Sequence, residues 1–230
     1  MINLLLFDVD GTLILTGGAG IRGLQRTFRD LYRIEAAIDG IRFHGRTDQD
    51  IIEDLFTAGL GRPPSAAEIE SICDRYLEFL QEEVRHSPGY RIMPGFPQLL
   101  EVLSQRPNVC LGLATGNLED AARIKLSRAD LNRFFSFGGF GSDARDRSVL
   151  IRKAIERGRN LLGVSDQEVR VVVIGDTDLD IASGRQVGAT TVAVATGGDS
   201  WETLVQASPD HLFKDLSRPE ELLAILGESP

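Results

Sequence analysis

Four stretches of the chain, 2–8, 109–115, 169–175 and 190–196, are almost wholly apolar and do not alternate with polar residues. A strand with one wet face alternates. A strand covered on both faces, as in a parallel sheet, reads as a continuous apolar run. Helical periodicity fills the intervals, at 118–130, 146–162, 179–188 and 218–226. Strand and helix in alternation predict an α/β class, a doubly wound (Rossmann-like) parallel sheet. A weaker run at 134–140 is expected to add a fifth strand and 211–213 a short sixth, with Phe134, Phe135, Phe137 and Phe140 as core. Ser217-Arg-Pro-Glu220 has the spacing of a capping box for the last helix.

The stretch 14–92 breaks this alternation. It reads as helices without strands, at 19–33, 48–59 and 66–86, the third opened by a capping-box match at Ser65 and Glu68. A turn-rich segment from Ser87 to Gly95 then ends it. The expected organisation is a catalytic core formed by 1–13 and 93–230, with 14–92 inserted as an all-helical cap. Gly18, Gly20 and Gly23 match G-x-G-x-x-G, but ten residues separate Asp8 from Gly18 and the following stretch is helical. A dinucleotide fingerprint must follow its strand directly. These glycines are expected to form a flexible join into the cap.

In open α/β sheets the ligand site lies beyond the carboxyl ends of the strands. The first strand ends on Asp8-Val9-Asp10-Gly11-Thr12 and the second on Thr115-Gly116-Asn117. Gly141-Ser142-Asp143 follows the third, with Arg147 shortly behind, and Gly175-Asp176-Thr177-Asp178-Leu179-Asp180 follows the fourth. Asp8 and Asp10 repel each other unless something positive joins them. A hard divalent cation takes oxygen ligands, and Mg2+ suits one or two carboxylates plus water and phosphate. Asp8 and Asp176 would supply those carboxylates, with Asp180 or Asp178 supporting them. The Thr115 hydroxyl, the amides around Gly116 and the Arg147 guanidinium are what phosphoryl oxygens require. A carboxylate can act as nucleophile, and a second can serve as acid and then base.

The totals narrow the partners. The 230 residues carry a net charge of −9, which argues against nucleic acid or an anionic membrane as partner. Cys73 and Cys110 are too few for a disulfide framework, which suits a reducing cytoplasm. Asp8 comes too early for a signal peptide, and no apolar run reaches the length of a membrane span.

The set DVDGT, LATGN, a basic residue before the fourth strand, and GDTDLD resembles the haloacid dehalogenase superfamily. The spacing is similar to its phosphoglycolate phosphatase-like branch with a helical cap. The resemblance implies a Mg2+-dependent phosphatase acting on a small phosphorylated metabolite, phosphoglycolate-like or a sugar phosphate. It implies Asp8 as nucleophile, forming an aspartyl-phosphate, and Asp10 as general acid/base with its backbone carbonyl on the metal. Thr115, Gly116 and Asn117 would bind phosphate, Asp176 the metal, and Asp180 would orient that metal site. The family usually has lysine in its third motif. Arg147 stands there, with Lys153 in reserve, and arginine differs from lysine in reach and geometry. Asp10 separates the chain from dehalogenases, and a cap stretch without lysine separates it from phosphonatases. A β-phosphoglucomutase-type mutase shares the motifs and is the alternative. A non-enzymatic phospho-accepting or metal-binding module is the second. His44, Arg46 and Thr47 lie in a cap loop expected to read the substrate, with Thr47 or Asp48 also capping the next helix.

Overall fold

A computed structural model describes residues 1–36, 38–165 and 168–227. The elements run β1 (Ile2–Phe7), β2 (Ile14–Leu15), α1 (Ala19–Tyr32), α2 (Asp48–Leu60), α3 (Ala66–His86), β3 (Arg91–Ile92), α4 (Gln98–Ser104) and β4 (Val109–Thr115). They continue with α5 (Glu119–Ser127), β5 (Gly138–Phe140), α6 (Arg147–Leu162), β6 (Val169–Gly175), α7 (Asp178–Gln186), β7 (Thr190–Val194), α8 (Trp201–Ala207), β8 (His211–Phe213) and α9 (Pro219–Ile225). Six strands form one sheet in the order β5-β4-β1-β6-β7-β8, all pairs parallel.

The unalternating apolar runs follow from burial on both faces. Leu5 and Phe7 of β1 pack with Leu99, Leu103, Leu126 and Leu222 on one face. Leu4 and Leu6 pack with Leu150, Ile151 and Ala154 of α6 on the other. Each such side chain withdrawn from water contributes about 1.5–3 kcal/mol. The central position of β1 sets the site, because its end faces the ends of both β4 and β6.

Several expectations are refined. The stretch 134–140 is divided into a 3-10 turn at Asn132–Phe134 and the short β5. Phe135, Phe137 and Phe140 are buried, while Phe134 packs at the margin. Ser217 does not cap α9. Arg218 holds the N-cap position without a side-chain bond, and Pro219 opens the helix with its φ already set. The Ser65–Glu68 capping box of α3 is present in both directions.

Helices α1 to α3 lie between β2 and β3, which pair antiparallel at their base. Their apolar side chains, among them Leu24, Phe28, Ile52, Phe56, Tyr76 and Leu80, form a second core that continues onto Leu118 and Ala121 beside α5. Gly20 and Gly23 are not a join. They sit inside α1, where a β-carbon at Gly23 would meet the Tyr76 ring at 3.2 Å. The small residue lets α1 lie close against α3. No helix among the described residues is long and apolar enough to cross a membrane.

Candidate active site

The β1–β6 ladder carries Asp8 to its place: the Asp8 amide donates to the Ile174 carbonyl at 2.9 Å, one step beyond the strand. The chain then turns at Gly11, whose φ of 89° favours glycine. A β-carbon there would also come 2.3 Å from Asp176 Oδ2. Thr12 Oγ1 donates to Asp176 Oδ1 at 3.1 Å, and the Gly198 amide donates to Asp176 Oδ2. On α7, Thr177 and Asp180 form a reciprocal capping box. Thus one oxygen of Asp180 is held by Thr177, and the other contacts Arg147 Nη2.

Asp8, Asp176 and Asp180 are all buried, and one oxygen from each lies within 4.8 Å of the others. Burial pushes Asp8 up to about 7, reinforced by Asp180 and opposed by Arg147 and by the Thr115 hydroxyl. Burial, then the Asp8 charge, raises Asp176 well above the carboxylate range. Arg147 Nη2 stands 3.7 Å from Asp8 Oδ1, and its Nε is buried with no hydrogen-bond partner among the described residues. One guanidinium therefore faces three carboxylates. A hard divalent cation fits that shortfall and that all-oxygen donor set. Asp8 and Asp176 have the better-placed oxygens to hold it, since Asp180 is engaged by Thr177 and Arg147.

Asp10 belongs to a different network. Its Oδ2 accepts from Asn117 Nδ2 at 2.8 Å and from Lys125 Nζ at 2.6 Å. Lys125 also donates to Asn117 Oδ1, and a lysine can only donate, so the orientation of that amide is fixed. Asn117 Nδ2 reaches Thr115 Oγ1 at 2.8 Å as well. Lys125 is buried. Burial pulls its pKa down, and the charges of Asp10 and Asp48 more than offset this. Asp48 is buried too and accepts from the Leu118 amide at 2.8 Å, joining α2 to the start of α5. Burial pushes Asp48 up to about 6, against the pull of Lys125.

A cavity of about 390 Å3 connects the two networks. Asp8, Asp10, Thr115 and Arg147 line one end, and Leu24, Phe43, Ile51 and Tyr76 belong to the helical block that closes it. The loop 42–48 lies across the strand ends. The Asp48 amide donates to the Gly116 carbonyl at 2.8 Å, and a β-carbon on Gly116 would stand 2.2 Å from the Arg46 carbonyl.

Of the residues expected from the sequence, Asp8, Asp10, Thr115, Gly116, Asn117 and Arg147 all line this cavity. Asp176 and Asp180 lie directly behind Asp8. His44 and Arg46 line it from the loop, whereas the Thr47 hydroxyl caps α2 by accepting from the Asp50 amide at 3.2 Å. Lys153 is exposed and pairs with Glu156 at 2.9 Å, so it takes no part. Sequence reasoning missed Lys125, Asp48 and Tyr76. One signal for Lys125 existed: it is one of three lysines among 25 basic residues, the others being arginine.

The family model for haloacid dehalogenase-like hydrolases matches residues 5–194. A phosphoglycolate phosphatase from Synechococcus elongatus is 30% identical over 150 residues, 65% of this chain and 66% of that protein. Pyrophosphatase PpaX from Bacillus pumilus is 28% identical and is aligned over 98% of this chain and 97% of its own. Among solved structures, CbbY from Rhodobacter sphaeroides in complex with phosphate has the same fold, with a TM-score of 0.69 at 18% identity over 95% of this chain and 96% of that one. The chain belongs to the haloacid dehalogenase-like hydrolases, and with these relatives it is a phosphatase.

Proposed function

We propose that the protein is a Mg2+-dependent phosphomonoesterase that hydrolyses a small phosphorylated metabolite through an aspartyl-phosphate on Asp8. The observation that carries this reading is the separation of two carboxylates only two residues apart. Asp8 lies in a buried acidic cluster short of positive charge, and Asp10 lies in a network that already contains an ammonium. In this reading Asp8 attacks phosphorus in line while Asp10 gives its proton to the departing alkoxide. The phosphorus–oxygen bond to the alcohol breaks as the bond to Asp8 forms. Asp10, now a base, takes a proton from water, which attacks phosphorus and releases inorganic phosphate with Asp8 restored. Arg147, Thr115 and the Gly116 amide bind the equatorial oxygens, where stabilisation of phosphoryl transfer is concentrated. Asp8 and Asp176, with the Asp10 carbonyl, would hold Mg2+, and Asp180 would orient that site. When bound, the ion neutralises charge on the transferring group.

Residues 14–92 act as the cap, with 1–13 and 93–230 as the core. The cap keeps bulk water from the reaction and selects the substrate through the cavity wall and loop residues His44 and Arg46. The test is phosphate release from a panel of phosphomonoesters, phosphoglycolate, hexose phosphates and nucleoside monophosphates among them, with and without Mg2+. The expected result is Mg2+-dependent release that Asp8→Asn abolishes. A product that is an isomerised sugar phosphate in place of inorganic phosphate would make the protein a mutase.

A further inference from the structure

Lys125 is a charged group in the cavity wall that the mechanism above does not use, and it bonds directly to Asp10. It is 5% exposed and projects from α5 to the end of β4, and two of its three N–H groups go to Asp10 Oδ2 and Asn117 Oδ1. Asp48 and the Tyr76 hydroxyl border it. A β-carbon built on Gly20 would lie 3.4 Å from the Tyr76 oxygen and 3.9 Å from Lys125 Nζ, so the three share one nook. Buried ammonium groups are retained only where partners compensate them. Here the partners are the acid/base carboxylate and the asparagine beside it.

The two oxygens of Asp10 are thereby made unequal. Oδ2 receives two donors, at 2.6 Å from Lys125 and 2.8 Å from Asn117. An oxygen that accepts two such bonds has no room for a proton of its own. Among the described residues Oδ1 has no hydrogen-bond partner, and Asp10 faces the cavity.

We propose that Lys125 is a positioning residue for proton transfer: with Asn117 it clamps Asp10 Oδ2, so that Oδ1 alone carries the proton given to the leaving oxygen. The proposal rests on the reading of Asp10 as general acid/base. In the step that forms the aspartyl-phosphate, the proton passes from Oδ1 to the alkoxide, and Asp10 is left as a carboxylate paired with the Lys125 ammonium. The water-attack step reverses the transfer at the same oxygen. Lys125 itself neither gains nor loses a proton.

The readout is the dependence on leaving group. A 4-nitrophenolate departs without protonation, whereas a simple alkoxide needs it. The value of kcat/KM reports events up to transfer of the phosphoryl group and is blind to later hydrolysis of the intermediate. It is measured with Mg2+ for 4-nitrophenyl phosphate and propyl phosphate in wild type, Lys125→Met, Asp10→Asn and the double variant. General acid catalysis is worth about 10²–10⁴. Lys125→Met is therefore expected to cost propyl phosphate at least about tenfold more than it costs 4-nitrophenyl phosphate. Added to Asp10→Asn, it should cost little further. An equal loss on both substrates would make Lys125 a phosphate-binding or merely structural residue, and no loss on either would make it dispensable. Both outcomes overturn the proposal. Failure of the underlying reading shows separately, as Asp10→Asn without any leaving-group dependence. Should Lys125→Met fold poorly because Asp10 and Asp48 lose their counter-charge, Asp48→Asn/Lys125→Met lowers the buried negative charge and is judged by the same criterion against Asp48→Asn.

Discussion

Asp8 and Asp10 stand two residues apart, yet their surroundings differ in kind. Around Asp8 the fold gathers Asp176 and Asp180 and answers them with Arg147 alone. Around Asp10 it places Lys125 and Asn117, with Asp48 beside them. The first neighbourhood sets three carboxylates against one guanidinium and could hold a cation. The second is nearly balanced with nothing bound. In the proposed mechanism, one dipeptide step along the chain thus separates the group that bonds to phosphorus from the one that moves a proton. The strand end makes this possible. Asp8 continues the ladder of β1 and meets β6, while Asp10 lies past it and meets the loop after β4.

The largest expected effect tests the Asp8 side directly. Asp8→Asn should lower phosphate release by at least about 10⁴-fold, because an amide does not form the covalent intermediate. It should leave the circular dichroism spectrum unchanged. Activity near wild type would dissolve the distinction between the two carboxylates.

Arg147 comes next. It is the guanidinium that joins Asp8 to Asp180 from the first turn of α6. Arg147→Ala should reduce kcat by about 10²–10³, the scale of losing one oriented donor to a transferring group. Lys153→Ala, on the same helix but in an exposed pair, should change nothing measurable. If the two variants behaved alike, the third-motif role would not belong to Arg147.

The sequence made the Asp8 neighbourhood legible and left most of the Asp10 neighbourhood hidden, for a physical reason. Strand ends announce themselves locally: an apolar run stops, and a carboxylate and glycine follow. Asp8, Thr115, Asp176 and Asp180 all stand at such breaks. Lys125 stands in the last turn of α5, and Asp48 opens α2. In one dimension the first resembles an ordinary amphipathic position and the second an N-terminal acid stabilising a helix dipole. Their meeting with Asp10 depends on how the helices α1 to α3 settle against α5, through the Asp48 to Leu118 bond, which no local pattern encodes. The four central strands and the helices α1 to α3 were readable from periodicity. The helices α4 and α8, at seven residues each, were too short to show a period, whereas the equally short α9 was marked by Ser217-Arg-Pro-Glu220 at its start.

A pH titration sharpens the comparison further. In the metal-free protein burial raises Asp8 from an ordinary 3.8 to about 7 and Asp48 to about 6, and raises Asp176 well above its ordinary value. Between about pH 4 and 7 the folded state keeps protons that the unfolded chain has released. Stability therefore falls as pH rises through that window, because the unfolded state binds fewer protons there. The loss is followed as the denaturation midpoint in the presence of a chelator. Mg2+ should reverse it and raise Tm more at pH 8 than at pH 5, since it competes with protons for the same oxygens. A metal-free protein equally stable at both values would mean that the acidic cluster is already compensated, and the contrast with Asp10 would fail.

The smallest effect concerns how the loop 42–48 is held over the strand ends. Arg42, in the loop that crosses the strand ends, pairs with Asp178 at 2.6 Å and with Asp199 at 3.4 Å. Asp178 opens α7 two residues before Asp180, and the Asp199 amide donates to the Asp176 carbonyl at 3.3 Å, so the pair ties the loop to the segments that carry the acidic cluster. The Arg42 side chain is 46% exposed, so its pairing is screened and worth little by itself. Arg42→Ala should raise KM by about two- to threefold with kcat nearly unchanged, and the difference from wild type should shrink at high salt. A larger loss that appears in kcat would mean that the loop orders the acidic cluster itself. The Asp8 neighbourhood would then depend on the cap as fully as the Asp10 neighbourhood does through Asp48.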